Sequence, residues 1–192
     1  MLNGYLYVLE CGGIQGGYRK ENLEFLSVVA KRNKVNVVLI ESNFGDGMFL
    51  ELLKPVLSKI YSVTLEEVRS NIQKEKRIVD TLEPVCNQHR LIVNKSIIDH
   101  DYKSVKDYAA EKQAKYMLFH QFTRITKDRG ALAHDDRLDA LSMAIAYWVE
   151  QMAADADQQI RDRKNDLMDK ELERFMSHVV GKGYQENHLT WM

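Results

Sequence analysis

The chain has 192 residues, 45% of them hydrophobic and 29% charged, with a formal net charge of −1. That supplies one ordinary hydrophobic core and excludes a disordered or fibrous chain. No apolar run approaches a membrane span, and no basic region leads into an apolar one near Met1, so the reading is of a chain without a membrane partner.

The small net charge hides an asymmetry. Residues 69–129 carry 13 basic and 8 acidic groups, a positive excess that fits either a polyanion partner or a solvated face. Cys11 and Cys86 form no CxxC pair and have no His at zinc spacing, so they read as small core residues. The six His are scattered. Any metal bound here is therefore expected to be a hard ion held by oxygen.

In chain order, Leu2 to Glu10 alternates loosely and reads as a strand. Gly12, Gly13, Gly16 and Gly17 mark a turn, but no phosphate-binding glycine motif occurs anywhere. Asn22 to Lys31 has helical periodicity. Lys34 to Glu41 is rich in β-branched residues, as a buried central strand is, and ends in a carboxylate. Sites in open α/β sheets lie beyond the carboxyl ends of strands, which suits Glu41, although a wet strand end would look the same. The chain leaves through Ser42 to Gly47.

Met48 to Lys59 is a predicted helix that Pro55 would kink or restart. Tyr61 to Val68 is a strand. Gln73 to His89 is a helix with Lys74, Lys76 and Arg77 near its start, where cations oppose the helix dipole. Their presence there points to phosphate contact. Leu91 to Val93 is a short strand, and Asp101 to Ala114 a polar helix. Tyr116 to Ile125 carries Arg124 and leads into a basic loop with Lys127 and Arg129. Plain charge pairing is the alternative reading for these cations.

His134 to Trp148 is a helix with an acidic first turn and an apolar remainder. At 100° per residue, Asp135, Asp139 and Asp136 fall at about 0°, 40° and 100°, on one edge. Clustered carboxylates repel one another, and a divalent cation relieves that repulsion. Helix capping by Asp135 and a dipole preference for Asp136 are the plain alternative. Residues 151–192 read as a charged helical extension ending in a loose tail from Gly181, beside a domain spanning residues 1–150.

A carboxylate at a strand end and others at a distant helix start suit two-metal phosphodiester hydrolysis, in which the protein mainly supplies oxygen ligands. The segments Ile40 to Gly47, Lys74 to Ile78, His120 to Thr126 and His134 to Leu141 resemble the nuclease domain of podovirus-type phage terminase large subunits. The resemblance spans roughly residues 2–150.

It implies an α/β, ribonuclease H-like mixed sheet flanked by helices, related to Holliday-junction resolvases. It implies metal-dependent endonucleolytic cutting of concatemeric double-stranded viral DNA, with two Mg2+ or Mn2+ ions. Glu41, Asp136 and Asp139 would then be catalytic and metal-binding, with Asp135 a further ligand and His134 assisting. Lys74, Lys76, Arg77, Arg124, Lys127 and Arg129 would contact DNA. The implied partners are double-stranded DNA, a portal protein, a small terminase subunit and a packaging ATPase, the last upstream or on a separate chain. The implied location is the host cytoplasm.

One departure stands out. The family's first-strand Asp has no match, and Glu10 does not replace it, so the fold is expected to lack its first strand and to cut poorly by itself. A non-catalytic DNA- or portal-binding module is the competing reading. A junction resolvase, preferring branched DNA, is a third.

Overall fold

The computed structural model describes residues 2–41 and 47–181, with side chains through residue 178. The exit loop Ser42 to Asp46 and the tail beyond Gly181 lie outside the described residues. The chain divides into two units, Met1–Trp148 and Val149–Met192.

The first unit is α/β. Its strands are β1 (Leu6–Val8), β2 (Val37–Glu41), β3 (Thr64–Val68) and β4 (Leu91–Val93). Its helices are α1 (Lys20–Arg32), α2 (Met48–Ile60), α3 (Lys74–Asn87), α4 (Lys95–Lys103), α5 (Ala110–Gln113) and α6 (Leu118–Arg124), followed by the start of α7 (Asp136–Gly181). A 3₁₀ turn at Ala114–Tyr116 joins α5 to α6. The polar helix predicted over residues 101–114 is thus corrected. Its segment is the end of α4, a turn and the short α5, and α4 starts earlier because Asn94 caps it by accepting from the Ser96 N–H at 3.0 Å. Pro55 and Pro84 lie inside continuous helices.

A single mixed sheet is the sequence expectation. The described residues instead form two parallel two-stranded pairs, β1 with β4 and β2 with β3. β1 is shorter than predicted because Leu2 and Tyr5 bridge each other across a turn at Asn3 and Gly4, both with positive φ. β2 is not enclosed on both edges as a central strand would be. It pairs with β3 alone among the described residues, and of its five residues only Ile40 is fully buried.

Each pair has its own core. Leu6 packs with Ile78, Leu82 and Val85 of α3, Leu118 of α6, and Leu138 and Ile145 of α7. Ile40 packs with Leu23 and Ala30 of α1 and Leu53 and Leu57 of α2. Burying each such Leu or Ile side chain contributes about 1.5–3 kcal/mol. An open cleft of about 1220 Å³ is lined by Leu6 to Gly16 on one side and Val35 to Val37 and Leu39 on another. In a parallel ladder alternate residues turn their N–H and C=O toward the partner strand. The Leu6 N–H donates to the Arg90 carbonyl and the Thr64 N–H to the Asn36 carbonyl, so Tyr7 of β1 and Val37 and Leu39 of β2 present their backbone polar groups away from β4 and β3.

The second unit is the remainder of α7, with Ile160, Leu167, Met168, Leu172, Phe175 and Met176 all exposed. No helix among the described residues is long and apolar enough to cross a membrane.

Candidate active site

Three elements converge at the carboxyl end of β2. Glu41 is its last residue, Lys74 and Arg77 occupy the first turn of α3, and Asp136 and Asp139 the first turn of α7, with Asp135 just before it. The Arg77 guanidinium links the most distant pair. Its Nη2 donates to Asp139 Oδ1 at 2.6 Å and lies 3.5 Å from Glu41 Oε1. Lys74 Nζ donates to Asp135 Oδ1 at 2.8 Å and lies 3.2 Å from Asp139 Oδ2 and 3.9 Å from Asp136 Oδ1. Four carboxylates therefore meet around two cations.

The acids differ in environment. The Asp139 side chain is only 4% exposed, with both oxygens engaged by cations, and Ser142 Oγ donates to its carbonyl at 2.8 Å. The Asp136 side chain is 79% exposed. Asp135 holds the capping position, and its carbonyl accepts the first helical bond, from the Asp139 N–H at 2.8 Å. Its carboxylate goes to Lys74 rather than to a backbone N–H, so the capping role open to it in the sequence is not the one its side chain plays.

Burial works against the charge on Lys74, but the hydrogen bond to Asp135 and the nearby Asp139 carboxylate outweigh it and hold the ammonium above its usual range. Arg77 Nε is buried and has no hydrogen-bond partner among the described residues.

The cations predicted to face DNA separate into two sets. Lys74 and Arg77 turn to the carboxylates. Lys127 lies 2.7 Å from Asp80 Oδ1 and 3.9 Å from Glu83 Oε2. Its loop is fastened to α3: Gln73 Nε2 donates to the Lys127 carbonyl at 3.1 Å and the Gly130 N–H to Glu75 Oε1 at 2.7 Å. Lys76, Arg124 and Arg129 are exposed and form no ion pair among the described residues.

His134 is not among the carboxylates. Its ring stacks on Tyr116 with centroids 4.4 Å apart, and Tyr116 lies tilted against Tyr108. Glu10 is engaged by Arg32 and by Asn33 Nδ2 at 2.8 Å, and the Arg32 guanidinium holds its carboxyl below the usual range. Burial pushes the Cys11 thiol up to about 11 and raises Cys86 as well, as for inert packed thiols.

Sequence reasoning missed the group that fixes the start of α7. Arg137 Nη1 donates to Asp101 Oδ1 at 2.6 Å and to Ser104 Oγ at 2.8 Å. Asp101 also accepts from the Leu118 and Phe119 N–H groups at 2.9 and 3.1 Å, capping α6. Gln121 Oε1 accepts from the Leu138 N–H at 3.0 Å. Gly13 passes so close that a Cβ there would sit 3.0 Å from the Arg137 guanidinium, a tight contact that a larger residue could keep only if Arg137 shifted. A usable signal was present: Arg137 is a cation in a helix first turn, where the dipole opposes it unless a partner is supplied.

The donor chemistry around Lys74 and Arg77 is all oxygen and would suit a hard divalent ion. Among the described residues, however, no three His, Cys, Asp or Glu side chains are arranged to hold a metal. Residues 1–91 match the family described as Terminase Bacteriophage T7, Ribonuclease H-like domain. Over 179 residues the chain is 41% identical to the terminase large subunit of Enterobacteria phage T3, an alignment covering 93% of this chain. Its first 91 residues are thus similar to the ribonuclease H-like domain of T7-type terminases. The chain spans about 30% of the length of that terminase large subunit. The family match covers β1 to the first residue of β4, and so includes Glu41, Lys74 and Arg77. The similarity to the T3 terminase large subunit extends over most of the chain.

Proposed function

We propose that this chain acts as a terminase nuclease domain that cuts concatemeric double-stranded viral DNA during genome packaging, in the host cytoplasm. The observation that carries the reading is the meeting of Glu41 with Asp139, from a strand end and a helix start far apart in sequence, on one arginine. Glu41, Asp139 and Asp136 are the proposed catalytic ligands, with Asp135 able to assist. Mg2+ or Mn2+, when bound, would activate water and stabilise the leaving oxygen of the phosphodiester. The buried Asp139 and the strand-end Glu41 would fix the ions' position, and the exposed Asp136 could turn toward them. His134 has a packing role in its stack and is left out of the proposed ligand set.

Lys76, Arg124 and Arg129 would take DNA phosphates, with Lys127 contributing less because Asp80 holds it. The portal protein, the small terminase subunit and a packaging ATPase are the proposed partners, by family. The cleft between β1 and β2 leaves backbone groups of both strands available to a further strand. A first strand bearing an Asp, supplied by additional polypeptide, is the proposed completion of the ligand set.

The second reading is a DNA- or portal-binding module without activity of its own, favoured by the absence of a three-ligand group among the described residues. A plasmid-cleavage assay with Mg2+ or Mn2+ separates the two. The chain is tested by itself and joined to an upstream segment that supplies an Asp-bearing strand. The nuclease reading expects weak cutting by the first and strong cutting by the second. It also expects loss of cutting, with DNA binding retained, in Glu41→Ala, Asp136→Ala and Asp139→Ala versions of the second. Unchanged cutting in the Glu41 and Asp139 variants would rule this site out. DNA or portal binding without any cutting would establish the module. Strong preference for branched over linear duplex would favour a resolvase.

A further inference from the structure

We propose that Lys74 and Arg77 are resident counter-cations of the carboxylate cluster, which the phosphodiester oxygens of bound DNA draw off so that a divalent ion can enter. The inference rests on the nuclease reading above and concerns what stands in the ion's place beforehand. Both oxygens of Asp139 are covered, Oδ1 by Arg77 at 2.6 Å and Oδ2 by Lys74 at 3.2 Å. The same ammonium holds Asp135, and the same guanidinium faces Glu41. A magnesium ion needs ligand oxygens at about 2.0–2.1 Å in near-octahedral array. It must compete with these two cations for Asp139.

Three features make the arrangement exchangeable. Among the described residues the buried Arg77 Nε has no hydrogen-bond partner, so its position there leaves part of its hydrogen-bonding capacity unused. Both cations sit in the first turn of α3, where the helix dipole opposes them. A phosphate arriving there would meet the exposed Lys76, and then Lys74 and Arg77 themselves. The Lys74 side chain is already partly exposed, at 36%, and so has a path toward solvent. In the absence of DNA the two cations neutralise much of the carboxylate charge and keep the acids from repelling one another. With DNA bound, the same side chains would neutralise phosphate and leave the acids with a net charge that attracts the metal. Metal binding and DNA binding would then favour each other, and thermodynamic linkage makes that effect reciprocal.

The test is Mn2+ binding measured by isothermal titration calorimetry on the full chain, at one ionic strength. The unmodified chain is compared with Lys74→Gln, Arg77→Gln and Asp139→Asn, with folding of each checked by circular dichroism. We expect Lys74→Gln and Arg77→Gln each to bind Mn2+ about fivefold more tightly or better, within the usual range of site-to-site coupling. Asp139→Asn should weaken binding. In a second arm, a short duplex added to the unmodified chain should tighten Mn2+ binding beyond what the duplex takes up by itself, and should do so much less with Lys74→Gln. This arm decides the matter if a substitution prevents folding. Binding that depends on Asp139 but is unchanged or weaker in Lys74→Gln, with no effect of duplex on the unmodified chain, overturns the counter-cation inference and leaves the nuclease reading standing. Mn2+ binding indifferent to Asp139 in every chain, with or without duplex, overturns both.

Discussion

Arg137 and Asp101 form an ion pair of 2.6 Å whose two side chains are 7% and 2% exposed. The pair joins α7 to α4, and through the Leu118 and Phe119 N–H groups it also holds the start of α6. Removing one partner strands a charge away from water, which costs about 3–5 kcal/mol. Asp101→Ala is therefore expected to lower the unfolding free energy by that amount in urea titration. A loss below about 1 kcal/mol would mean that the pair is not held as the geometry implies.

Among the described residues Lys76, Arg124 and Arg129 form no ion pair, whereas Lys127 already has Asp80 and Glu83. Neutralising a phosphate contact lowers DNA affinity and reduces the salt dependence by about one counterion per site. Alanine at Lys76, Arg124 or Arg129 should each show that reduction in fluorescence-anisotropy titrations of a duplex across a salt series. Lys127→Ala should show less. An unchanged slope in the triple variant would remove these residues from the DNA surface.

His134 stacks on Tyr116 rather than joining the acids. His134→Ala should cost about 0.5–1.5 kcal/mol for the lost stack, and His134→Phe should recover most of it. Neither should alter Mn2+ affinity. A drop in metal binding for His134→Phe at full stability would return the residue to the ligand set.

Lys74 supplies a pH signature. Its folded-state value is raised above 10.5 by Asp135 and Asp139, despite opposition from burial. The folded protein keeps this proton longer than the unfolded chain does. The associated stabilisation is complete below pH 10.5 and is lost as pH rises through the raised value. Lys74→Gln should thus melt below the unmodified chain by a constant margin from about pH 7 to 10, and the margin should shrink above that. A margin that widens in alkali would contradict the assignment.

Much of this site was legible beforehand. Glu41 was visible because a β-branched run ended in an acid, and Asp135, Asp136 and Asp139 because helical spacing put three carboxylates on one edge. Lys74 and Arg77 stand out in the sequence because cations at a helix start oppose its dipole. Which anions they pair with was not legible. The sequence reading assigned them to phosphate, whereas their partners in the structure are carboxylates 61 and 62 residues away. Charge pairing of that kind depends on where α3 and α7 pack, and no local pattern encodes it.

The sequence by itself determined most of the elements, since hydrophobic period, glycines and caps act over a few residues and mark helices and strands wherever the chain later goes. It also carried the resemblance to terminase nuclease domains, through motifs long enough to be specific. Only the tertiary structure decided that β1 and β2 belong to separate parallel pairs with a cleft between them, because ladder pairing is a relation between distant segments. It decided that Asp139 is the buried acid and Asp136 the exposed one, because the rotation of α7 about its axis is set by Leu138 and Ile145 entering the core and by Arg137 locking onto Asp101. The same packing brings Lys74 and Arg77 onto Asp139 and the end of β2.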